Sequence, residues 1–124
     1  MKMARNQNEE LTVHGVRVDS INEMYVALGL EKMNLEFSYQ VYLGGQGIRG
    51  SQIIDFLVYT DPKKTPLQVV GGYWHGGARA ADEALKEADI NARMRGTWAD
   101  VIMIYENECS TEEDAFNTLQ EKLA

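Results

Sequence analysis

The sequence predicts an α/β domain whose elements run in the order α-β-β-β-α-β-α, and three observations carry that expectation. Apolar residues recur at helical spacing near 20–33 and again near 110–123. Three β-rich runs follow one another between 37 and 74, two of them joined by the short polar stretch TDPKKT. An alanine-rich charged segment then precedes a short apolar run at 99–105, an alternation that builds a sheet with helices packed against it.

Each element has a local reason. Ser20 and Glu23 stand in the capping-box relation, and Ile21, Met24, Tyr25 and Leu28 follow at helical spacing, which predicts a helix over 20–33. In FSYQVYL (37–43), Phe37, Tyr39, Val41 and Leu43 alternate with Ser38, Gln40 and Tyr42, the period of a strand. GGQGIRG (44–50) is then either a flexible turn or a ligand-facing loop. QIIDFLVY (52–59) and PLQVVGGYW (66–74) should pair antiparallel across the polar TDPKKT turn, with residues near 68–72 opposite 54–58. Ala78 to Ala88 reads as a helix, and Arg93 to Gly96 lead into the interior strand ADVIMIY. Ser110 with Glu113 marks the last helix, whose stripe is Phe116, Leu119 and Leu123. Residues 1–17 read as a polar lead-in and 18–124 as one domain.

Composition narrows the class. The 124 residues are 44% hydrophobic and 25% charged, as in ordinary globular chains, and no apolar run reaches membrane-spanning length. The N-terminus lacks the apolar segment of a secretory signal and Cys109 is the only cysteine, so the cytoplasm is the expected compartment. Nineteen acidic against twelve basic residues give a net charge of −7, so any nucleic-acid binding must come from a local basic patch.

The chemistry centres on Asp55. Strand alternation sets it on a face with Ile53, Leu57 and Tyr59, and the opposite face of Ile54, Phe56 and Val58 is apolar too. A carboxylate buried there must be hydrogen-bonded, protonated, paired or bound to a metal. Tied to backbone amides or an arginine, it is structural; next to Gln68 or a carbonyl of the partner strand, it could hold magnesium, which accepts one or two protein oxygens together with water and phosphate. Glu23 either caps its helix or also faces a cleft. His75 could carry a proton near neutral pH or lie on the surface, as His14 would. Trp74 could fill the core or stack on a base.

Taken together, S-x-x-E (Ser20, Glu23), Tyr39-Gln40, the glycine-rich turn, the Ile54-Asp55-Phe56 strand and Gly71-Gly72-Tyr73-Trp74-His75 resemble the PD-(D/E)XK nuclease superfamily, and most nearly its very-short-patch-repair endonuclease type. Tyr105 followed by Glu106 matches the aromatic-glutamate end of that type's later strand, so the resemblance covers 19–123. It implies a restriction-endonuclease-like mixed sheet flanked by helices, and a magnesium- or manganese-dependent endonuclease of repair, junction-resolving or phage type, with Asp55 and Gln68 at the metal. Glu23 would support the metal or its water, His75 would assist proton transfer, and Trp74 would contact DNA. Arg49, Lys63, Lys64 and Arg79, with Lys86, Arg93 and Arg95, would supply the basic surface, in one copy or in a homodimer that cuts both strands. The sequence departs from the pattern where Gln68-Val69-Val70 replaces the D/E-x-K acid and lysine, where Ile54 replaces a proline, and where zinc ligands are absent. The alternative is a nuclease-like fold without catalysis that binds nucleic acid or serves assembly.

Overall fold

Ahead of the first predicted helix, Thr12–Val13 (β1) and Val16–Arg17 (β2) form an antiparallel hairpin. His14 and Gly15 turn it, both at positive φ (+50° and +79°), the conformation that lets a two-residue turn follow strand twist. Val13 is fully buried and the His14 ring stacks on Phe37. Residues 12–17 of the polar lead-in are therefore part of the fold. The structure, a computed structural model, describes residues 12–18, 20–44, 52–71 and 78–123.

Helix α1 spans Ile21–Lys32, within a residue of its expected bounds, and Ser20 caps it by accepting the Glu23 N–H at 3.2 Å. Its buried residues are not the predicted stripe: Val26, Ala27 and Leu30 join Met24 in the core, while Ile21 is exposed. The cause is packing against two neighbours, because α1 shares one apolar core with the sheet and with the last helix, α3 (Glu112–Lys122). At Gly29 the helices approach closely, for a Cβ built there would sit 2.7 Å from Leu119 Cδ1. The cap of α3 is Thr111, which accepts the Asp114 N–H; Ser110, the expected cap, instead donates to the Asp114 carboxylate.

Strands β3 (Phe37–Leu43), β4 (Gln52–Val58), β5 (Thr65–Val70) and β6 (Ile102–Tyr105) make one four-stranded sheet in that order. The first three form an antiparallel meander, and β6 joins β5 in parallel after α2 (Ala78–Arg93), which runs five residues further than expected. Leu67, Val69, Ile102 and Ile104 pack toward α1 and α3; Val70, Val101 and Met103 pack with Ile90 of α2 on the other face. The mixed α/β architecture with helices on both faces is thus observed. No helix among the described residues is long and apolar enough to cross a membrane.

Candidate functional site

Asp55 sits where the sheet's ladder fails. The β3–β4 register pairs Phe37–Tyr39 with Phe56–Val58 and Val41–Leu43 with Gln52–Ile54, stepping over Gln40 and the facing Asp55, and β4–β5 pairing stops one step short, at Phe56↔Leu67. Gln40 adopts φ +56°, a left-handed conformation that costs a non-glycine residue about 1 kcal/mol. Both strands change sides at this level. Phe37, Tyr39, Phe56 and Val58 pack toward α1, whereas Val41, Leu43 and Ile54, of the same strand parity, join the α2-side core.

Since β5 does not turn with its neighbour, backbone groups on β4 and β5 lose their direct partners, and buried backbone polar groups must find others. Two side chains supply them. The Gln68 amide accepts the Asp55 N–H at 2.8 Å and donates to the Ile53 carbonyl at 3.3 Å, and the Asp55 carboxylate accepts the Val69 N–H through Oδ2 at 2.8 Å. Gln68 is only 2% exposed, so its amide depends on these bonds in place of water. Strand pairing also differs from expectation: residues 65–67, not 68–72, lie opposite 56–58, which puts Gln68 directly across from Asp55. Both ends of the Gln68 amide meet the β4 backbone, which makes it a bridge between the strands.

Glu23 is buried at 7% exposure. Its backbone N–H meets Ser20, the carboxylate takes the Tyr39 hydroxyl at 2.5 Å, and Gln40 Nε2 approaches the same hydroxyl at 3.5 Å. This links the helix acid to the broken rung through two adjacent residues of β3. Asn22 donates to the Cys109 carbonyl and pins the start of α1 beside the turn that follows β6. In that turn the Glu106 carboxylate lies 3.6 Å from where a Cβ on Gly71 would be, so a third acid borders the end of β5. The parallel pairing of Val70 with Tyr105 explains the juxtaposition, and the sequence signal for it was only the Tyr105-Glu106 dipeptide.

The other expected residues that the structure describes lie apart from Asp55. Lys63 and Lys64 are exposed on the β4–β5 connection, roughly 13 Å along the strand from the Asp55 level at about 3.3 Å per residue. Lys64 Nζ rests over the Tyr59 ring, and Lys63 lines an open groove of about 610 Å³ with Arg95, Asp61, Asp100 and Trp98. Arg93 is paired with Asp89, whose carboxyl is held below its ordinary pKa chiefly by the hydrogen bond from Gln52. Arg49, Trp74, His75 and the Arg79 side chain lie outside the described residues. Among the described residues, no three His, Cys, Asp or Glu side chains are grouped so as to hold a metal ion. No family model, no curated protein and no solved structure matches this chain.

Proposed function

We propose that the chain is a metal-dependent endonuclease that hydrolyses DNA phosphodiester bonds, with the restriction-endonuclease-like arrangement as its scaffold. One observation carries the reading. The sheet breaks its ladder at the level of Asp55, and a buried acid from α1, Glu23, is linked to the same level through Tyr39 and Gln40. Interrupted strand pairing costs hydrogen bonds, and such irregularities gather beside active sites, where they re-aim side chains. The meander followed by a parallel crossover, and the Tyr73-Trp74-His75 segment that succeeds Gly71 in the chain, agree with it.

The bond from Val69 to Asp55 fixes the carboxylate without exhausting it, because an ionised carboxylate offers about four acceptor positions. Asp55 would hold a magnesium or manganese ion together with water and phosphate oxygens, in keeping with magnesium's preference for few protein ligands. The ion would polarise the phosphodiester and lower the pKa of the attacking water. Glu23 orients polar groups beside that position, and Lys63 and Lys64 would meet a more distant phosphate of the same DNA.

One observation favours the second reading, a nuclease-like module that binds nucleic acid without cutting. At the position of the superfamily's second acid stands Gln68, whose amide serves the strand pair. Incubation with supercoiled, mismatched and branched DNA in magnesium or manganese separates the two, with Asp55→Asn as the control because asparagine keeps an acceptor for the Val69 N–H. Metal-dependent nicking that the variant lacks supports the enzyme. Binding with no cleavage under either metal refutes it in favour of the module.

A further inference from the structure

Resting on the endonuclease reading, we infer that Tyr39 is a positioning residue: its hydroxyl fixes the Glu23 carboxylate, and Gln40 holds that hydroxyl in turn. Three observations converge on Tyr39. Its hydroxyl donates to Glu23 Oε1 in a short, buried bond, and its ring packs 5.1 Å from Phe56, so it has little freedom to turn away. Gln40, which points Nε2 at the same oxygen, holds the strained left-handed conformation at the broken rung. The helix beneath Glu23 is anchored independently by the Ser20 cap and by Asn22 on the Cys109 carbonyl.

A backbone fixed from one side and a carboxylate fixed from the other leave Glu23 one orientation. Charge-assisted hydrogen bonds of this kind are stronger and more directional than neutral ones. A carboxylate that only needed satisfying in the core could take any donor, whereas this one takes a donor whose neighbour faces Asp55 across the strands. Glu23 would act on the water or metal, and Tyr39 acts only through Glu23.

The test is a double-variant cycle on supercoiled plasmid with magnesium, using Tyr39→Phe, Glu23→Gln and the pair. Tyr39→Phe keeps the ring and should lower kcat by on the order of tenfold to a hundredfold, as small misplacements do, with KM within about twofold. In the Glu23→Gln background the same change should cost less than about twofold, because its target is already altered. In the metal-free protein, a slowly exchanging hydroxyl proton resonance should be present, absent from Tyr39→Phe and displaced in Glu23→Gln. Gln40→Gly, which accepts the left-handed backbone, should lower kcat several-fold without loss of fold. Multiplicative effects in the double variant, or an unchanged kcat in Tyr39→Phe, overturn the positioning role while leaving the endonuclease intact. A native protein that cuts no DNA overturns the function itself, a result distinct from either.

Discussion

Replacing Gln68 by methionine keeps the length and unbranched shape of the side chain while deleting both ends of its bridge. The Asp55 N–H and the Ile53 carbonyl then lose partners at 2.8 and 3.3 Å beside the buried Gln68 side chain. Each buried group left unsatisfied costs about 1–3 kcal/mol. Methionine fills most of the volume and recovers about 1 kcal/mol through its more apolar surface. The net loss should be about 1–5 kcal/mol, against the 5–15 kcal/mol typical of a domain. Urea unfolding followed by circular dichroism should show a lower midpoint at unchanged slope. Amide exchange should lose protection at Asp55 before other residues of β4. A variant within about 0.5 kcal/mol of the native chain would refute the claim that these side chains replace the missing ladder.

Three further outcomes follow from the packing. Gly29→Ala should destabilise by about 1 kcal/mol: the helix-propensity gain of about 1 kcal/mol is outweighed by overpacking against Leu119 and the Phe116 backbone, and thermal melts of Gly29→Ala beside Gly29→Ala with Leu119→Val read the relief. Both carboxylate oxygens of Glu31 are buried with no hydrogen-bond donor among the described residues, and burial raises its pKa, so the native state loses stability as pH climbs from about 4.5 through the raised folded value. Glu31→Met should therefore stabilise by about 1 kcal/mol at pH 7, with the gain fading toward pH 4, as melts across pH will show. Burial pushes the Cys109 thiol up to about 11, so iodoacetamide at pH 8 should label it only once urea unfolds the chain. Because the unfolded thiol ionises near 9, its contribution to stability should decline between about pH 9 and 11, a slope absent from Cys109→Ala.

The main elements were legible because their periods were clean. Phe37 to Leu43 alternates without interruption and became β3 with the same bounds, and Ser20 fixed the start of α1. What the sequence hid were interactions between elements. Glu23 reads as a cap by spacing, yet its carboxylate turns inward because Tyr39, sixteen positions away, lies beneath it. Asp55 posed the right question, but whether it met amides or a metal depended on a strand register that TDPKKT alone left three residues off. The Val-His-Gly-Val hairpin carried a glycine turn signal that its polar surroundings masked, and only burial of Val13 reveals its worth.

The parallel pairing of β5 with β6, Leu67 against Ile102, has a consequence for the order of assembly. The β4–β5 hairpin can zip from close neighbours, whereas β6 must close a much longer loop, at greater entropic cost, before its contacts repay the search. The fourth strand and the helix after it should therefore be the late, rate-limiting arrivals, and until they dock the face of α1 that Leu119 covers stays wet.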